Sequence, residues 1–264
     1  ALTTNTLDGI RYYDENASTT ATTVFNPSLG GTNVLYGARL LFTSRNRLLA
    51  LGVYQFDGST TSYFPNRVAW CADKDPSNWD YDTAGGGGFN DAPTSEQIIS
   101  ARQIKGGTII VFFTDSVWAI LNNPDPALPF TWKRLNTFRA CNGKMASIGY
   151  DQYVSALGVR GITATSGDET SRIDDRIQDF VIDEINVDQF QKVFCLRDFA
   201  NKRWWTLYPD NENDENTKAL ILDEDTSGYS QYDIAMNCLG YGIIGEDYSL
   251  DDFTAANDLD KTIT

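Results

Sequence analysis

Histidine is absent from the 264 residues. That removes Ser-His-Asp and Cys-His nucleophilic chemistry and every histidine-ligated metal site. Carboxylates, lysine or tyrosine could still support an enzyme, but the commonest general base is missing. Basic residues are scarce as well: 21 Lys and Arg stand against 36 Asp and Glu, a net charge of -15. A surface made to grip nucleic acid needs basic patches, and no basic run is written here. The same imbalance keeps a large protein soluble, and it suits a wall along which DNA passes without adhering. No apolar run approaches the roughly 20 residues of a membrane helix. The polar start of the chain carries no signal-peptide pattern. Because residue 1 is Ala1 rather than Met, a processed or partial product is expected.

Cysteine is sparse. Cys71, Cys141, Cys195 and Cys238 lie far apart with no C-x-x-C pair, which argues against zinc and thioredoxin-like chemistry. Each sits in or beside an apolar segment, so free and mostly buried thiols in a reducing cytoplasm are expected.

What the chain does hold is aromatic and strand-like. Phe, Trp and Tyr make up 12% of it, which suits pleated, half-buried surfaces. Short apolar runs alternate with turn residues: 39–42, 48–54, 67–71, 98–104, 108–113, 117–121, 152–157, 162–165, 191–196, 203–208 and 218–222. A loop carrying Asp57-Gly58 is expected over residues 56–65. Only residues 179–185 read as helical, as a single turn. An apolar strand, a tight polar turn and an aromatic-bearing strand recur about every 40 to 60 residues, the spacing of propeller blades. Ile109-Ile110-Val111-Phe112-Phe113 with Trp118 is one instance, and Val193-Phe194-Cys195-Leu196 with Trp204-Trp205 is another. A sheet that cannot bury both faces alone must stack on its neighbours around an axis. The expected fold is therefore an all-β propeller of four-stranded antiparallel blades, with a β-sandwich as the alternative. Residues 1–36 read as an arm or incomplete blade, 37–246 as blades, and 247–264 as an acidic peripheral segment. Trp118 and Trp204 are expected to be buried between blades.

Loop motifs yield no chemistry. Residues 73–82 crowd four Asp side chains as a calcium loop does, but no Gly stands sixth and no Glu twelfth, so an EF-hand is rejected. A looser calcium site there is the weaker reading. The stronger is a connecting loop with Trp79 packed and the Asp residues solvated. The acidic run 210–215 reads as a mobile hairpin loop. Gly85-Gly86-Gly87-Gly88 lacks the G-K-[ST] of a phosphate loop and reads as a flexible connector. No spacing selects a carboxylate pair for glycosidase work.

One stretch is more specific than a generic propeller. Leu41-Phe42-Thr43-Ser44-Arg45-Asn46-Arg47-Leu48 leads to Asn66-Arg67-Val68-Ala69-Trp70-Cys71-Ala72-Asp73 and then Pro76-Ser77-Asn78-Trp79. After the glycines come Ile98-Ile99-Ser100-Ala101 and Ile110-Val111-Phe112-Phe113-Thr114-Asp115-Ser116-Val117-Trp118-Ala119-Ile120. This order resembles the propeller of short-tailed bacteriophage tail nozzle proteins (tail tubular protein B) and related packaged-DNA stabilisation proteins. The resemblance covers residues 39–121, and Lys202-Arg203-Trp204-Trp205-Thr206-Leu207-Tyr208-Pro209 has the same look. The sequence departs from that family in showing no identifiable long platform or tail-fibre dock, which leaves the position along the tail open. The resemblance implies a structural virion component, assembled in the bacterial cytoplasm, in a ring of six copies that retains the packaged genome and conducts it outward. Its partners would be further copies, other tail or adaptor proteins, and DNA in transit without specific binding. It implies no catalytic residue, metal or cofactor, and it makes Arg45 and Arg47 turn structure rather than DNA ligands. Two readings from other classes compete: a carbohydrate-binding adhesin, and a carboxylate-dependent glycan hydrolase or lyase.

Overall fold

The computed structural model describes residues 2–5, 9–12, 23–177 and 179–241. The acidic segment 247–264 lies outside the described residues, as do residues 6–8 and 13–22 of the N-terminal arm. Among the described residues, five antiparallel sheets follow one another along the chain. The first holds β1 (Leu2–Asn5), β2 (Gly9–Tyr12) and β3 (Thr23–Val24). The second holds β4 (Ser28–Gly30), β5 (Asn33–Ser44), β6 (Arg47–Phe56), β7 (Thr61–Trp70) and β8 (Gly88–Asp91). The third is β9 (Ile98–Gln103), β10 (Ile109–Phe113), β11 (Val117–Asn122) and β12 (Phe130–Asn136). The fourth is β13 (Ser147–Gly149), β14 (Val154–Gly158), β15 (Gly161–Thr165) and β16 (Thr170–Arg172). The fifth is β17 (Phe194–Asp198), β18 (Arg203–Tyr208), β19 (Lys218–Asp223) and β20 (Gly228–Asp233). Between the last two lie the short α1 (Phe180–Glu184) and a 3-10 segment, Val187–Lys192.

Strand order within every sheet is chain order, so among the described residues no strand crosses from one sheet to another. A sandwich with Greek-key connections would need such crossings. One strand of each sheet instead lies beside one of the next, β1 against β5, β5 against β9, β9 against β13, and β13 against β17. Hydrogen bonds tie the second sheet to the third, the third to the fourth and the fourth to the fifth. Arg39 Nε donates to the Ile99 carbonyl at 3.3 Å, Ser100 Oγ meets Ser147 Oγ at 2.8 Å, and Cys195 N donates to the Met145 carbonyl at 2.9 Å. This is propeller architecture.

The strand β10 shows why the apolar runs are continuous rather than alternating. All five of its residues are buried. Ile109, Val111 and Phe113 join a core shared with Leu49, Leu51, Val68 and Trp70 of the second sheet. Ile110 and Phe112 join another, shared with Val154, Ala156, Cys195 and Trp204 of the fourth and fifth. The alternation persists, but both faces meet protein. In the same way β6 sends Leu49 and Leu51 toward the third sheet, and Ala50 and Val53 toward Ile10 and Trp79. Burial of apolar surface at each wedge, worth roughly 25 cal/mol per Å2, is the main stabilising term.

Several local expectations need correction. The loop placed over residues 56–65 is a tight turn, with β7 already begun at Thr61. Asp57 closes it by accepting from the Ser59 and Thr60 amides and the Thr60 hydroxyl. Pro65 is tolerated in the strand because the β6–β7 register shifts between Leu51 and Val53, leaving the proline outside the ladder. Gln191 and Lys192 belong to the 3-10 segment, and the strand begins at Phe194.

Candidate functional site

The residues that carry the resemblance fall on two neighbouring sheets, 41–79 on the second and the loop after β7, and 98–120 on the third. Arg45 and Asn46 have φ of 47° and 61°, which makes the β5–β6 connection a two-residue turn of the primed type. From β6, Arg47 Nη1 donates to the Cys71 carbonyl at 2.6 Å, and Leu48 N donates to the Cys71 thiol sulfur at 3.0 Å. The Asn46 carbonyl accepts from Lys74 N. Trp79 is completely buried, and its Nε1 donates to the Pro76 carbonyl at 2.8 Å. The glycines 86–88 form no slack connector. A Cβ on Gly87 would come within 2.5 Å of the Trp79 backbone, and one on Gly88 within 2.6 Å of the Trp70 ring. Only glycine lets these backbones approach so closely.

Arg67, in the same motif, lies between the Phe64 and Phe89 rings, 3.8 and 4.0 Å from their centres, and makes two bonds to Asp91. Thr114-Asp115-Ser116 is held by Glu96, whose carboxylate accepts from both following amides and from Ser116 Oγ. Burial raises the Glu96 pKa, but the bonds from Asp115 and Ser116 outweigh it and leave it lowered. Ser116 Oγ in turn accepts from Trp118 Nε1 at 2.8 Å. Trp118 and Trp204 are buried, at 5% and 2% exposure.

Residues 73–82 place Trp79 inside and Asp73, Asp75 and Asp82 outside. Asp75 is occupied by Ser77, and Asp80 by Asp82 N and Thr83. Among the described residues, no group of three or more His, Cys, Asp or Glu side chains converges to hold a metal. In the run 210–215, Asp210 ties the loop together, accepting from Glu212 N, Asn213 Nδ2 and Thr217 Oγ1. Cys71, Cys141 and Cys195 are buried and Cys238 is exposed. Burial pushes the Cys141 thiol up to about 12 and Cys195 to about 11, so neither is a thiolate at neutral pH.

A cleft of about 390 Å3 opens between the fourth and fifth sheets, and no sequence motif marked it. Tyr150 and Tyr153 flank the tight turn from β13 to β14, closed by Tyr150 N donating to the Tyr153 carbonyl. Their rings stack with centres 4.4 Å apart. Arg197 of β17 lies 4.3 Å from the Tyr150 ring centre and is clamped by both oxygens of Glu224 at 2.8 and 2.7 Å. Glu224 opens the turn from β19 to β20. Ser227 in that turn has φ of 54° and offers its carbonyl to Arg176 at 3.2 Å. Tyr229 of β20 donates its hydroxyl to the Ile173 carbonyl at 3.0 Å. Burial raises the pKa of all three tyrosines, Tyr229 to about 12, so their hydroxyls stay protonated. The contributing residues lie on five separate elements. The only local signal is a pair of tyrosines three apart around a turn.

No protein-family model matches the chain, and no curated protein does. Among solved structures it is similar to apo AztD from Citrobacter koseri, with 9% identity and a TM-score of 0.38 over 89% of this chain and 72% of that one. It is also similar to an ancestral GH74 enzyme, with 12% identity and a TM-score of 0.38 over 79% of this chain and 32% of that one. Likenesses of that size carry no argument about activity. The fold rests on strand order and on the two-faced packing of the sheets.

Proposed function

We propose that this chain is a structural, non-catalytic component of a bacteriophage tail, contributing its propeller to an oligomeric ring that retains and conducts the viral genome. The observation that carries the reading is the resemblance over residues 39–121. Its support from the geometry is that Arg45, Arg47, Arg67, Trp79 and Trp118 all hold turns and wedges, as framework residues would. The net charge of -15 fits a surface that lets DNA slide by. The virion, with assembly in a bacterial host, is the corresponding location. Native mass spectrometry and light scattering of the full chain test it. A closed oligomer, six copies in the family pattern, is expected, and a chain that remains monomeric at about 100 μM, well above ordinary assembly affinities, would overturn it.

A further inference from the structure

The cleft between the fourth and fifth sheets has the size of a small-molecule site, about 390 Å3, and its chemistry narrows what can fill it. One wall is aromatic. Tyr150 is sandwiched between the Arg197 guanidinium and the Tyr153 ring. Tyr153 gives one face to Tyr150 and, at 39% exposure on the cleft lining, keeps the other for a ligand. A flat apolar face of this kind attracts the C–H face of a ring.

Charges of both signs surround that wall. Glu224 is neutralised by Arg197 in a two-bond clamp. Asp223 lies 3.9 Å from Arg203 and accepts from Thr226. Asp175 and Arg176 lie side by side on the lining. An anion would meet three carboxylates and a cation would meet the Arg176 guanidinium, so a charged ligand of either sign faces a like charge on the lining. A ligand rich in hydroxyls does better, since each hydroxyl both donates and accepts. Tyrosines, carboxylates and a guanidinium all belong to residues of the lining.

We infer that this cleft binds a neutral saccharide, stacked on Tyr153 and hydrogen-bonded along the Glu224–Ser227 turn. The site goes beyond the tail reading and does not rest on it. It lies between two blades of one chain, so a monomer would retain it.

Ligand-observed NMR on the full chain tests it, with maltotriose, cellotriose and triacetylchitotriose each taken to about 10 mM, where weak glycan affinities register. Choline and 3′-sialyllactose serve as charged counter-probes. At least one trisaccharide is expected to saturate. The Tyr153→Ala variant should weaken it about tenfold or more, Tyr153→Phe should hold within about threefold, and Tyr232→Ala, an exposed tyrosine outside the cleft, should leave it unchanged. The inference is overturned if none of the three saturates, if either charged probe binds as tightly as the best sugar, or if Tyr153→Ala binds like the parent. None of these variants is expected to alter the oligomer mass, so the ring and the saccharide site fail separately.

Discussion

Trp118 and Trp204 each fill a wedge between sheets, the first between the second and third, the second against the fourth. Replacing either by Ala removes a buried large aromatic whose neighbours are fixed in strands and cannot collapse into the space. A loss of about 3–5 kcal/mol is expected for each, read as a lower urea midpoint at unchanged slope. A variant that unfolds where the parent does would show that its ring lies outside the core. Both burials were legible in the sequence, because an aromatic behind a tight turn in an apolar strand has nowhere else to go. The glycines 86–88 were not. Their need for glycine comes from the Asp80 carbonyl, the Trp79 backbone and the Trp70 ring, neighbours that only the fold supplies.

At the scale of elements, the turn 114–116 depends on a side chain from another strand's approach, Glu96. Glu96→Ala would strand two amides and the Ser116 hydroxyl that positions Trp118, at a cost of about 1–3 kcal/mol. The carboxyl has a lowered pKa in the folded chain, against an ordinary value of 4.5. Its contribution is therefore full above that value and is lost as pH falls through the lower folded one. The gap in unfolding midpoint between parent and Glu96→Ala should be full at about pH 7 and shrink by about pH 3. A gap that is constant across that range would assign the loss to packing. Strands buried on both faces, such as β10, β11 and β18, announce themselves as apolar runs. The outer strands do not. β20 is half-exposed at its start and exposed from Ser230 to Asp233, and β16 is no better covered, so neither carries a hydrophobic signal. β12 carries only a mixed one. Turn chemistry compounds the problem, as Asp57 shows by shortening a loop to a few residues.

For the whole molecule, the distribution of thiols gives a direct reading of the packing. Cys71, Cys141 and Cys195 are buried in two different wedges, with their thiols pushed up by burial, while Cys238 is exposed. A chromogenic disulfide reagent at pH 8 (about half a unit below an ordinary thiol) should titrate one thiol quickly in the folded protein and the other three only after denaturant is added. Two or more fast thiols in the folded state would mean that a wedge is open. The order of blades was legible because it follows the chain. The tyrosine cleft was not, since its parts meet only when the fourth and fifth sheets dock. Contiguity of each sheet has a consequence for synthesis. Strands of one blade can pair as soon as they leave the ribosome, without waiting for distant sequence. Until the next blade arrives, however, the nascent chain shows an apolar wall. A polypeptide released after Asn136 would present Ile110, Phe112, Val117 and Ala119 to water with nothing to cover them. Translation pauses that stop between blades would thus be the moments of greatest exposure to aggregation and to chaperones.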